Sequence, residues 1–171
     1  MENIRVIKSD RRTASVEISR DLTVTVRVPR RFTQAQTEAF VARNSAWIAK
    51  HLELQRRRGE TLRFPVDTDP AFLRAEAERI IPPLVEKYSA LTGLKPKAVK
   101  YSSAKKRLGS CAPDGTVRFS YTLMLYPLDA VEYVVLHELA HLKERNHRRG
   151  FYALIERYMP DWRRRRAMLK G

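Results

Sequence analysis

The sequence predicts an α+β fold in two pieces, and three observations carry that expectation. Segments of alternating apolar and polar residues crowd the first 30 positions. Runs at helical spacing begin after Thr33 and again after Asp69-Pro70, and an almost wholly apolar stretch covers Val131 to Leu142. The first piece, residues 1–60, reads as a β-hairpin followed by a helix. The second, residues 69–171, reads as the larger domain, with a small antiparallel sheet and a buried helix that carries a His-Glu-x-x-His motif.

Taken in order, Arg5 to Ile7, Ala14 to Ile18 and Leu22 to Val28 are strand candidates, with Ser19-Arg20-Asp21 as a hairpin connection and Pro29 as a stop. Thr33 with Gln36 forms a capping box for a helix over about 33–57, whose apolar positions are Phe40, Trp47, Ile48, Leu52 and Leu54. Gly59 to Thr68 lacks periodicity and suits a linker. Asp69 caps a second helix that has Pro70 at its first position and ends at Gly93, and Pro82-Pro83 should kink or split it. Lys97 to Ser102 and Thr116 to Tyr121 read as strands joined by a basic loop. Asp129 with Glu132 forms another capping box, opening the apolar helix. A further helix covers about Arg148 to Tyr158, and a short basic one follows Pro160.

Composition narrows the function classes. No apolar run reaches the roughly 20 residues of a membrane helix, and Met-Glu-Asn-Ile-Arg has no secretory pattern, so the expected location is the cytoplasm. The single cysteine, Cys111, excludes an internal disulfide and a four-cysteine zinc site. Of the net charge of +15, residues 95–118 supply 7 basic and 1 acidic side chains and residues 143–171 supply 10 and 3, together +13. A positive rim of this kind either attracts nucleic acid or acidic protein, or is a solvated surface.

The chemistry lies in His137, Glu138 and His141. On a helix, positions i and i+4 are about 40° apart around the axis and about 6 Å along it, so both imidazoles can meet one ion. Glu138 borders the same point and is placed to take a proton from a water that the ion activates. Three ionisable groups on an apolar helix are costly unless a partner such as a metal offsets them. A hydrolytic zinc site needs a third protein ligand and an open position. His147 is the first choice, with Glu144 and Glu156 as rivals. On a continuous helix His147 would lie about 15 Å from His137, so the helix must end between Leu142 and Arg145, and Asn146 suits a left-handed reversal. Three of the chain's 4 histidines fall within this motif; His51, alone on a polar helix, is expected to be structural or exposed.

Lys106-Arg107-Leu108-Gly109-Ser110-Cys111, Tyr133 to Leu142, Asn146-His147, Gly150-Phe151-Tyr152 and Met159-Pro160-Asp161-Trp162 together resemble the YgjP-like zinc metallopeptidases of the zincin-like superfamily. The resemblance covers residues 70–171 well and the segment around Trp47-Ile48 more loosely, with Leu108 standing where the family usually has Trp. It implies a zincin-like metallopeptidase domain, zinc held by His137, His141 and His147, and Glu138 as general base acting on a protein or peptide substrate. It also implies a substrate strand laid along a sheet edge beside the active helix, for which Thr116 to Tyr121 is the candidate. Arg107, Tyr121 and Tyr152 are candidate oxyanion donors, and Cys111 reads as a structural thiol. The metzincin pattern, which shares the interval from His137 to His147, would require Gly at Glu144. The spacing is also similar to that of SprT- and WLM-type proteases, which act on proteins crosslinked to DNA. The alternative functions are therefore a DNA-associated protease, or a basic nucleic-acid-binding module whose zinc is structural or inactive.

Overall fold

The computed structural model describes residues 4–19 and 21–169, leaving Arg20 of the expected hairpin connection, and the side chains of residues 58–60, outside the description. Two compact units divide the chain, Met1–Glu60 and Thr61–Lys170. No described helix is long and apolar enough to cross a membrane.

In the first unit β1 (Ile4–Ser9), β2 (Ser15–Ile18) and β3 (Val24–Pro29) form a sheet in the order β1-β3-β2. The hairpin pair β2–β3 is antiparallel, but β1 runs parallel to β3, so the sheet is mixed where an antiparallel one was expected. Local alternation specifies a strand's faces and not its distant partner. The helical run divides into α1 (Gln34–Arg43), opened by the Thr33–Gln36 capping box, and α2 (Ser45–Glu60). The break falls at Asn44, whose side-chain amide donates to the Phe40 carbonyl. Val24, Val26 and Val28 pack with Ile48 and Leu52 in a core of their own, while Trp47 and Leu54 remain exposed.

The second unit begins with α3 (Pro70–Thr92), capped by the Asp69 carboxylate at one end and by left-handed Gly93 at the other. Pro82 and Pro83 do not split it. Interior prolines cost about 3 kcal/mol each, but Ile81 and Val85 on either side of the pair are buried, and each such side chain contributes roughly 1.5–3 kcal/mol. Packing therefore keeps the helix one element.

Then come β4 (Ala98–Ser102), β5 (Gly109–Cys111) and β6 (Thr116–Ser120), followed by a 3₁₀ turn at Tyr121–Leu125. Their order is β4-β6-β5, with β4 parallel and β5 antiparallel to β6, so this sheet too is mixed. The order carries a second correction. The Thr116 to Tyr121 segment is paired on both sides, and the edge that contacts the next helix is β5, which lies inside the expected basic loop.

That helix, α4 (Leu128–Ala140), is the centre of the unit. Val131, Val135, Leu136, Leu139 and Ala140 are fully buried in a core shared with residues of α3, β6 and the last two helices, α5 (Arg149–Tyr158) and α6 (Trp162–Ala167). Its start differs from expectation. The N-cap is Pro127 and no side chain caps it, because Asp129 and Glu132 are engaged by Arg164 and Arg165 of α6. Charged partners outbid a local amide for the same carboxylates.

Candidate metal centre

Helix α4 ends at Ala140, with His141 as its C-cap, and the chain then tightens through turns in which Leu142 N–H donates to Leu139 O and Lys143 N–H to Ala140 O. Asn146 takes no part as a left-handed residue, since Leu22 is the one described non-glycine with positive φ. Instead, Arg148 N–H donates to Asn146 O at 2.8 Å, and the Arg145 guanidinium donates to the carbonyls of Ala112 and Pro113, each at 3.1 Å. Arg145 thus clamps the turn to the β5–β6 hairpin, and the turn carries His147 back toward the helix.

The result brings His137, His141 and His147 together, with their ligating nitrogens within 4.8 Å of one another. His147 Nε2 lies 3.0 Å from His137 Nε2 and 3.1 Å from His141 Nε2. Two nitrogens bound tetrahedrally at about 2.0–2.1 Å from zinc would stand roughly 3.3 Å apart, so the observed spacing fits such an ion closely. Proton counting points the same way. His141 Nδ1 faces the Glu144 carbonyl at 2.9 Å and must donate to it, which leaves His141 Nε2 without a proton. One proton on His147 cannot satisfy both neighbours, whereas a cation can. Tyr133 Oη lies 3.2 Å from His137 Nδ1, and fully buried Phe151 sets its ring 4.6 to 4.8 Å from all three imidazole centres, walling them in.

Burial tunes the groups. His137 is pushed down to about 3, chiefly by desolvation and then by the charges of His141 and His147. His147 is lowered for the same first reason. Both are neutral donors at pH 7 in the absence of metal. Glu138, 6% exposed, is pushed up to about 7 by desolvation, with the Arg107 charge partly opposing the rise. Strand β5 presses directly on this carboxylate: a Cβ at Gly109 would sit 2.6 Å from Glu138 Oε1. A cavity of about 320 Å³ opens over the cluster, lined by Arg107, Gly109, Ser110, Cys111 and Arg145 besides the three histidines and Glu138.

Residues 12–69 and 66–171 both match the family described as YgjP-like, metallopeptidase domain. The chain belongs to the YgjP-like family. As a YgjP-like metallopeptidase it is a hydrolase of peptide bonds that works with a metal cofactor on protein or peptide substrates. No curated protein matches the sequence. Among solved structures, the metallopeptidase zymogen of Pyrococcus abyssi abylysin is similar at 22% identity and a TM-score of 0.47, over 53% of this chain and 93% of that one.

Other residues singled out in this YgjP-like sequence stand as follows. Glu144 turns its carboxylate toward Gly150, and Glu156 pairs with Arg163, so neither rival joins the histidine cluster. Arg107 lines the cavity; Tyr121 does not, and Tyr152 stacks on Trp162 at 4.9 Å. The Cys111 thiol is pushed up by burial and stays protonated, in keeping with a structural role. His51 stacks on Trp47 and bonds its carbonyl, within the first unit. Sequence reading quoted Gly109, Tyr133 and Phe151 only as part of the family resemblance and assigned no role to them or to Arg145. Only Tyr133 left a signal, four residues before His137 on the same helix face.

Proposed function

We propose that this chain is a zinc peptidase in which His137, His141 and His147 hold the ion and Glu138 is the general base. The observation that carries the reading is the convergence of His137 Nε2 and His141 Nε2 on His147 Nε2, at 3.0 and 3.1 Å, beside a buried carboxylate. Three imidazoles with an open fourth position suit a hydrolytic zinc. When bound, zinc supplies a Lewis acid that acidifies water and polarises a carbonyl oxygen. Glu138 takes the proton from the attacking water and returns it to the departing amine nitrogen. Its burial keeps the carboxyl basic enough to accept that proton near neutral pH. Tyr133 and the Glu144 carbonyl orient His137 and His141 through their Nδ1 atoms, and Arg145 keeps the His147 turn in place. An extended substrate adds to the edge of β5, next to the base. All these residues lie within 69–171, the segment we assign as the peptidase domain, with residues 1–60 as an appendage.

Glu138→Gln tests the assignment. Zinc content should stay at one ion per chain while cleavage of an unfolded protein such as casein falls about 10²–10⁴-fold. Cleavage that persists in this variant would exclude Glu138 as the base. The nucleic-acid reading draws less support from the C-terminal arginines, because Arg163, Arg164 and Arg165 are all paired with carboxylates. If DNA is nonetheless a partner, its affinity must fall steeply with salt.

A further inference from the structure

Helix α6 carries four consecutive arginines, and they are not equivalent. Arg163 pairs with Glu156, Arg164 with Asp129 and Asp161, and Arg165 with Asp129, Glu132 and Asp161. Arg166 meets no carboxylate among the described residues. Its guanidinium lies 6.0 Å from the ring centres of both Tyr152 and Trp162, half-buried, and it lines a second cavity of about 320 Å³. This cavity adjoins the metal centre and shares Arg107, Gly109, His137 and Glu138 with it. Lys106 is a third cation on its wall, and Leu108, Val134 and Leu169 provide apolar surface. Apart from Glu138, which serves the metal side, no described acidic residue lines it.

A half-buried guanidinium without an anion is poorly solvated and gains from a carboxylate that reaches it. We propose that this cavity is a substrate subsite that takes the acidic side chain, glutamate above all, of a residue flanking the bond to be cut. This rests on the peptidase reading and deepens it. The two methylenes of glutamate lie along Leu108, Val134 and Leu169 while its carboxylate meets Arg166, with Lys106 and Arg107 adding attraction at the rim. A polynucleotide phosphate has no apolar stem to place against those walls, which favours a peptide as the occupant.

The test uses the full chain loaded with zinc and carrying Glu138→Gln, so that binding is read without cleavage. Fluorescence anisotropy would compare two amidated alanine-rich peptides that differ only in a central Glu or Gln. The Glu peptide should bind roughly tenfold tighter, the effect of one charge-assisted hydrogen bond. Adding Arg166→Gln should bring the ratio to within about twofold, and Arg166→Lys should retain most of it. Because the readout is a ratio within one protein, partial loss of folding cannot imitate the result. Equal binding of the two peptides, binding of neither, or a gain that follows a free C-terminal carboxylate instead of Glu overturns the subsite. So does an oligonucleotide that outcompetes the Glu peptide through Arg166. Wild-type cleavage of a mixed peptide pool is scored separately: cutting without a Glu preference sinks the subsite alone, whereas Glu-selective binding without any cutting sinks the peptidase reading alone.

Discussion

Gly109→Ala is the sharpest probe of how the base is positioned. The added Cβ would lie 2.6 Å from Glu138 Oε1, 2.7 Å from Cγ and 2.9 Å from Cδ. Ordinary contact needs roughly 3.4 Å or more, so something must move by about 0.8 Å. The backbone of β5 is held by its ladder to β6 and α4 by its core, so the carboxylate yields first. A misplacement of about 1 Å at a reacting group costs on the order of 10²-fold in rate, which sets the expected loss at 10- to 100-fold in kcat. Zinc content should change little, because the three atoms nearest the added Cβ all belong to Glu138 and none to a histidine. The assay is steady-state cleavage of a fluorogenic peptide, with zinc measured on the same sample by plasma emission. A variant that cuts at the wild-type rate, or one that loses its zinc, would refute the argument that β5 sets the position of the carboxylate.

Three further outcomes follow from the same geometry. Tyr133→Phe removes the group facing His137 Nδ1 and should weaken zinc binding about tenfold in a competition titration with a chromogenic chelator. Arg145→Ala frees the His147 turn from the Ala112 and Pro113 carbonyls, and a similar or larger loss of zinc affinity is expected, with the melting temperature of the metal-free protein little changed. In metal-free protein the Glu138 carboxyl titrates near 7 folded against an ordinary 4.5, so the folded state is favoured below 4.5 and that contribution disappears as pH rises through 7. Glu138→Gln should therefore stabilise the metal-free chain at pH 8 by about 3 kcal/mol, a shift on the order of 10 °C, and leave it nearly unchanged at pH 4. Equal melting temperatures for the two proteins at pH 8 would contradict the burial of a charged group there.

Much of this molecule is legible in its sequence where the governing interactions are local. Thr33 with Gln36, Asp69 with Pro70, and Gly93 act within a few residues, and each does in the fold what its chemistry suggests. The histidine spacing is equally local on α4, and the scarcity of histidines made His147 stand out; the turn that returns it could be anticipated from distance alone. What escaped depends on remote partners. Asp129 and Glu132 look like a capping pair until Arg164 and Arg165 arrive from α6. Strand β5 is three residues, Gly-Ser-Cys, with no alternation to betray it, and it exists because β6 and α4 flank it. The parallel pairing of β1 with β3, and the survival of α3 through two prolines, are likewise decisions of packing.

The helix that presents His137 and His141 is secured by hydrocarbon on its far side, by Val131, Val135, Leu136 and Leu139, and none of that grip passes through the imidazoles. Assembly and metal uptake are therefore separable events. Stripping the ion should therefore leave the apolar interior of this unit in place and be felt chiefly at the three imidazoles and the turn from Leu142 to Arg148.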